Sequence, residues 1–527
     1  MNAPSSDAPT SAAETSKAGA SRVPLHGLWL ALLAAGISFA WCQLDGNIGL
    51  NLADEGYLWY GAQAVGRGEV PMRDFQAYDP GRYLWTAAWA RVLGQDLVAL
   101  RLSCVIFSGL GVTAGLLVAR RLSRHWLFLV SVALLLCAWM HPRFKCFEQS
   151  IALMSVYAGV LLLERPTVNR HFGVGIFGGL MAFMGRNHGV YHVVAFLLLV
   201  AAAARGRGFG IWLRDSLAWG VGIFIGYMPQ LLMFKAVPGY FQEFRHYVAA
   251  IAIKGTNMSA SIPWPWRVDM HLPNWRWASA LLESGFFVVL PLFLLFAAWW
   301  IFTRKRASHA LVAAACVTLP YAHFAFSRPD TIHLGHAAPT LALGLIALAF
   351  AVRPAVGQMI TPVLLVASLL TNLFETGLVR KIFPPTPPLV PMEVRKRSMS
   401  VGAEEAEFLK SATTLATEIA NPDERILFLP NLPALYPAVS RTSPIPQLYC
   451  IFPASLEEQT EMVSEIERTR VQWVMLRDYA LDGRDDLRFR QTNPLVFAHF
   501  SRYFAPFPMP SLPADTVILR RTMAPRP

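Results

Sequence analysis

Four short polar segments hold the residue types that do chemistry, and each borders or interrupts apolar sequence. The first, NLADEGYLWYGAQAVGRGEVPMRDFQAYDPGRYLW, opens with the adjacent carboxylates Asp54 and Glu55. Such a pair can supply a general base or help hold a divalent cation such as Mg or Mn. Equally, Asp54 can simply cap a helix running from Glu55 to Val65. Tyr57, Trp59 and Tyr60 read as packing at a membrane interface, although aromatic rings also suit sugars. The second segment, HPRFKCFEQ, contributes Arg143, Lys145 and Glu148, with a solvated loop carboxylate as the plain alternative for Glu148. The third, MGRNHGVYH, sets Arg186, His188 and His192 inside a run that is otherwise apolar from Phe172 to Ala204. Ionisable groups at such depth are costly and usually line a cavity or a substrate path. The forked guanidinium of Arg186 suits a phosphate, unless it only marks a turn at headgroup level. The fourth, FSRPDTIHLGH, offers Arg328, Asp330, His333 and His336. A cationic turn of this kind can steady a phosphate as it leaves. Arg328 and His333 rank first there, because Asp330 and His336 also read as a helix cap and as packing.

The elements that must bring these segments together are membrane spans. The chain is 54% hydrophobic and only 15% charged, with a mean hydropathy of +0.39, which excludes an ordinary soluble globular protein of 527 residues. Apolar runs lie near 25–44, 97–119, 126–141, 150–163, 172–185, 189–204, 216–236, 284–303, 308–326, 334–351 and 357–375, giving about eleven spans. The pair flanking Arg186 can also be a broken hairpin. Basic clusters occupy alternate connections: Lys17 and Arg22; Arg120, Arg121 and Arg124; Arg165 and Arg170; Arg205, Arg207 and Arg214; Arg304, Lys305 and Arg306; and Arg353. These face the cytoplasm by the positive-inside rule, so the formal charge of +12 argues for membrane orientation and against nucleic acid as a partner. All four chemical segments then fall on the opposite, outer side.

Around this span region, residues 1–22 read as a disordered cytoplasmic tail and 23–376 as the transmembrane domain, whose outer loop 45–96 carries the acidic pair. Residues 377–400 read as a proline-rich, basic linker, and 401–527 as a small α/β domain, placed outside in the periplasm. In it Glu404 to Ala420 and Leu456 to Arg470 have helical periodicity, while Arg425 to Leu429, Val471 to Leu476 and Thr516 to Arg520 read as strands. Arg380, Lys381, Arg395, Lys396 and Arg397 run against this outer placement. Gly173, Gly175, Gly178 and Gly179 lie in an apolar run and read as helix packing, not a phosphate loop. The loop IPWPWRVDMHLPNWRW, with Trp264, Trp266, Trp275 and Trp277, reads as an interface anchor more than as a lid. Of the six cysteines, Cys146 and Cys450 are the two available for a disulfide.

The acidic pair after the first span, the Gly68 to Pro71 step, Asp74-Phe75 and Asp79-Pro80-Gly81 together resemble the first loop of GT-C superfamily glycosyltransferases. The protein O-mannosyltransferase and lipid A aminoarabinose transferase branch is the nearer match. The resemblance is one of loop motifs, most specific over residues 51–85, and Asp79-Pro80-Gly81-Arg82 stands where a Pro-Pro pair is more usual. It implies a polytopic all-α membrane fold, a site on the outer face of the bacterial inner membrane, and a sugar donor carried on a polyprenyl phosphate. It further implies Asp54 as the catalytic base, Glu55 as its neighbour and Glu148 as the second-loop acid.

The reading that follows is an inverting glycosyl transfer to a hydroxyl of a glycan, lipid or protein. Asp54, Glu55 and Glu148 form the catalytic group, with Asp54 and Glu55 as the ligands of a divalent cation if one is used. Arg186, Arg328, His333 and Lys145 bind the donor phosphate. A transporter or lipid-linked-sugar flippase is the rival reading, which the lack of an internal repeat weakens. A non-catalytic assembly protein on the same scaffold is the third.

Overall fold

The computed structural model describes residues 25–254, 261–273, 275–304, 307–372, 388–509 and 511–522. The expected N-terminal tail and the first part of the expected linker lie outside these residues. The helices before the C-terminal domain are α1 (Leu25–Asp45), α2 (Asp54–Gly66), α3 (Pro80–Leu93), α4 (Leu97–Ala119), α5 (Trp126–Ala138), α6 (Cys146–Glu164), α7 (Val168–Met184) and α8 (Arg186–Ala203). They continue with α9 (Phe209–Gly226), α10 (Met228–Ala236), α11 (Tyr240–Lys254), α12 (Arg276–Thr303), α13 (His309–Ser327), α14 (Thr331–Val352) and α15 (Pro354–Thr371).

Each of the eleven apolar runs is helical. Among the described residues eight helices are long and apolar enough to cross a membrane, and α9 with α10, bent by 46°, passes the same test as a pair. The remaining two, α5 and α7, have 13 and 17 residues. At 1.5 Å per residue they reach only about 20 and 26 Å, short of a full span. The turn between α7 and α8 is a tight hairpin, with Gly178 against the His192 ring across it. Close helix approach explains the glycines: Gly175 and Gly179 of α7 meet the backbone of α9, where a β-carbon would collide.

Above the bundle, α2 and α3 of the outer loop share one core with the C-terminal domain. Leu58, Trp59, Tyr60, Phe75 and Tyr83 pack with Phe408, Leu435, Tyr436 and Met475. Tyr57, Trp59 and Tyr60 are therefore buried core residues and not the interfacial belt their composition suggests, because a folded domain covers the helix that carries them. The exposed aromatics lie instead before α12, where Trp266 and Trp275 are 74% and 71% exposed.

The C-terminal domain begins earlier than the expected boundary at 401. The hairpin of β1 (Val390–Val394) and β2 (Arg397–Val401) occupies the second half of the stretch read as linker. It is tied to the outer loop by Ser400 N–H to the Asn47 carbonyl at 2.9 Å and by Gly49 N–H to the Ser400 carbonyl at 2.8 Å. Arg397 adds an ion pair with Asp96 at 2.8 Å. Beyond it, β3 (Arg425–Leu429), β4 (Val471–Arg477), β5 (Phe504–Pro506) and β6 (Thr516–Arg521) form a sheet of order β3-β4-β6-β5, with β3 and β4 parallel. The helix Leu456–Arg468 starts in a capping box of Ser455 and Glu458. Because this domain packs on the first outer loop, it lies on the same side as that loop, whatever the charge of Arg395 to Arg397 suggests. Cys146 and Cys450 are both buried thiols and form no disulfide with one another.

Candidate active site

The N-termini of α2, α3, α6, α8 and α14 carry, in or next to their first turns, the residues singled out above. Five helix starts gathered in one region supply the positive ends of five dipoles, a setting that favours an anion. Asp54 is the first residue of α2. Its carboxylate does not cap the helix; Asn51 does that work, its side-chain oxygen accepting the Asp54 N–H at 2.7 Å. The carboxylate is free to face outward, where Lys145 Nζ stands 3.0 Å from Oδ2 and the Tyr449 hydroxyl donates to Oδ1 at 2.7 Å. The side chain keeps 22% of its surface exposed, so the carboxylate is reachable from outside. Burial works to raise its pKa, but the charge of Lys145, the bonds from Tyr449 and Lys145, and the charge of Arg328 together hold the carboxyl below its ordinary value.

Glu55, one residue on, points the other way. Only 1% of its side chain is exposed, and Arg101 grips both oxygens at 2.7 and 2.8 Å. Arg101 also donates to the carbonyls of Gly46 and Gly49 at 2.7 Å each, while Arg143 reaches Glu55 at 3.4 Å and the Ile48 carbonyl at 2.6 Å. Burial tends to raise the Glu55 pKa, and the Arg101 charge and hydrogen bonds reverse this and lower it. Glu55 is therefore the anchor that fixes the chain leaving α1 and not a group open to substrate. The Asp54 and Glu55 pair also does not fit a divalent cation, since Arg101 occupies one carboxylate and Lys145 stands on the other. No cluster of three or more His, Cys, Asp or Glu suited to a metal occurs among the described residues.

Beside Asp54, α3 and α6 meet through Arg82 and Glu148 at 3.2 Å, both nearly buried. Gly81 makes this possible: a β-carbon there would lie 2.7 Å from both the Met184 sulfur and the Phe183 carbonyl, so only glycine lets the start of α3 touch the α7–α8 hairpin. The Arg82 guanidinium also lies over the Tyr78 ring at 5.1 Å. Glu148 Oε2 is buried with no hydrogen-bond partner. Asp79, just before α3, accepts the Arg186 N–H at 3.0 Å and so satisfies a donor of the first turn of α8. The Arg186 guanidinium stands 3.7 Å from Asp79 and over Tyr247 at 4.8 Å. On α14, Asp330 caps the helix through His333 N–H at 2.8 Å and binds His333 Nδ1 at 2.7 Å. Arg328 bridges Asp330 at 3.2 Å and Asp482 of the C-terminal domain at 3.3 Å. The His336 ring is 5.5 Å from that of His333 and within electrostatic range of Lys145, His188 and Arg82; neither of its buried nitrogens has a hydrogen-bond partner.

Against solved structures, the chain superposes on ArnT from Cupriavidus metallidurans bound to undecaprenyl phosphate with a TM-score of 0.50 and 13% identity, covering 94% of this chain and 97% of that one. The fold is of the GT-C type. Weaker likenesses are to an Archaeoglobus fulgidus oligosaccharyltransferase, at TM-score 0.44 and 12% identity over 94% of this chain and 76% of that one, and to arabinosyltransferase EmbB from Mycobacterium smegmatis, at 0.40 and 14% over 70% and 40%. No protein-family model matches the chain, and no curated protein does.

On this GT-C-type fold, Asp54 and Lys145 are in direct contact, with Arg328 close enough for its charge to act on Asp54. Glu148, Arg186 and His333 join through Arg82, Asp79 and Asp330, whereas Glu55 is walled off. Sequence reasoning passed over Arg101, Tyr78 and Tyr449, and read Asp79 and Arg82 only as part of the loop motif. Arg101 carried a usable signal, a lone cation in the run Leu97 to Ala119. Tyr449 carried none, being 395 residues from its partner.

Proposed function

We propose that this chain is a membrane glycosyltransferase that moves a sugar from a polyprenyl-phosphate donor to a hydroxyl acceptor on the outer face of the bacterial cytoplasmic membrane. The observation that carries the reading is the Asp54–Lys145 contact, an ionised carboxylate beside a cation at the head of inward-running helices. The architecture shared with an ArnT chain bound to undecaprenyl phosphate supports a lipid-borne donor. Asp54 removes the acceptor proton as the hydroxyl oxygen attacks the anomeric carbon. The bond from that carbon to the donor phosphate breaks, the electron pair leaves with the phosphate, and configuration inverts. Lys145, Arg82 and Arg328 take up the charge that develops on the leaving oxygen, with Arg186 and His333 further along the same rim. Glu148 holds Arg82 and offers its free oxygen to a substrate hydroxyl. The reaction so written routes no step through a cation.

The test is transfer of radiolabelled sugar from a membrane pool of lipid-linked sugars to endogenous acceptors by the purified protein. Asp54→Asn is expected to lower the rate by about 10²- to 10⁴-fold while leaving the folded yield intact. Transfer at the parental rate rules Asp54 out as the base.

A further inference from the structure

The contact between Tyr449 and Asp54 joins the far ends of the chain, and it is backed by an independent clamp. Gln76 of the outer loop holds the segment carrying Tyr449 on three sides. Its side-chain oxygen accepts the Leu448 and Tyr449 N–H groups at 3.0 and 2.8 Å, and its backbone N–H donates to the Pro446 carbonyl at 2.8 Å. Ser443 N–H donates to the Tyr60 hydroxyl at 3.2 Å, and the Tyr449 ring lies 5.5 Å from that of Tyr57. Packing alone would use the ring. The hydroxyl is instead aimed at Asp54 Oδ1 while Lys145 holds Oδ2, so the two donors fix the carboxylate from both ends.

We propose that Tyr449 is a positioning residue for Asp54, and that the C-terminal domain is thereby a working part of the active site, delivered to it by Gln76. The inference rests on the reading of Asp54 as the base. A phenol that donates to a carboxylate stabilises its charged form, so the contact keeps Asp54 ionised as well as oriented. The groups that face Asp54 from the surrounding elements are Lys145 before α6, Arg328 between α13 and α14, Tyr78 before α3, and Tyr449. Glu55, on its own helix, turns to Arg101. Removing the Tyr449 hydroxyl leaves the Lys145 contact and should raise the pH at which Asp54 takes up a proton.

A readout independent of turnover is modification by dicyclohexylcarbodiimide, which attacks protonated carboxyls, followed across pH by mass spectrometry of the Asp54 peptide in the full-length protein. In Tyr449→Phe the labelling midpoint is expected to rise by about one pH unit, the tenfold change that loss of one hydrogen bond to a charge brings. Gln76→Ala, which keeps the hydroxyl and the backbone bond to Pro446 but removes the two side-chain bonds to the segment, is expected to shift the midpoint in the same direction by less, the double variant matching Tyr449→Phe. Asp54→Asn removes the labelled site. An unshifted midpoint in Tyr449→Phe overturns the inference. Parental transfer by Asp54→Asn overturns the base reading instead, and because labelling and transfer are measured separately the two failures are distinct.

Discussion

The two ends of the membrane bundle both gather charge, but they use it differently. At the inner end Asp215, almost fully buried, takes Arg207 at 3.1 Å and Arg214 at 2.8 Å, with His171 at 3.8 Å. Arg121 pairs with Glu164 across α4 and α6. At the outer end the ion pairs leave groups over. Glu148 Oε2, Arg186 Nη1 and both nitrogens of His336 are buried without a hydrogen-bond partner, and five helix N-termini face them. An inner cluster that satisfies itself holds helices in register; an outer cluster with donors and acceptors to spare is organised around something else. The difference separates structural charge from functional charge in a chain where both lie at helix ends.

That contrast can be broken in order of expected effect. Glu55→Ala strands Arg101 in a closed site, which should cost about 3–5 kcal/mol and show as lost folded yield in fluorescence-detected size exclusion. Wild-type yield would mean that Glu55 is not the anchor. Arg82→Met removes a charged donor from the proposed phosphate and unpairs Glu148, and should lower transfer per folded molecule by about 2–3 kcal/mol, roughly 30- to 150-fold, with some loss of yield. The pH dependence is smaller. Asp54 has a depressed folded pKa, so its stabilising contacts are fully present above the unfolded value of about 3.9 and are lost as pH falls through the lower folded value. The thermal midpoint gap between wild type and Asp54→Asn should therefore persist to about pH 4 and close below it. Arg214→Gln, at a half-exposed inner position, should change stability by no more than about 0.5 kcal/mol and leave transfer at the parental rate.

The spans were legible because apolar length is a local property. Asp54, Lys145, Arg186, Arg328 and His333 were legible because charge beside apolar sequence stands out. Glu55 was misleading for a physical reason: adjacent helix residues point about 100° apart, so neighbours in sequence can face a substrate and a buried arginine respectively. Arg82 looked like part of a turn motif until the α7–α8 hairpin showed why Gly81 must precede it. The Gln76 clamp and Tyr449 are products of tertiary docking, and no local pattern encodes them. The basic run Arg395 to Arg397 misled because a hairpin bound to the outer loop answers to packing more than to the charge rule.

Binding of undecaprenyl phosphate to the purified full-length protein, followed by native mass spectrometry, tests the outer site most directly. The double variant Lys145→Ala with Arg328→Ala should bind at least about tenfold more weakly than wild type, each charged donor contributing roughly 1.5–3 kcal/mol where it touches phosphate, while Arg207→Gln at the inner end binds as wild type does. Equal affinity in the wild type and the outer double variant would contradict a phosphate site at the head of these helices.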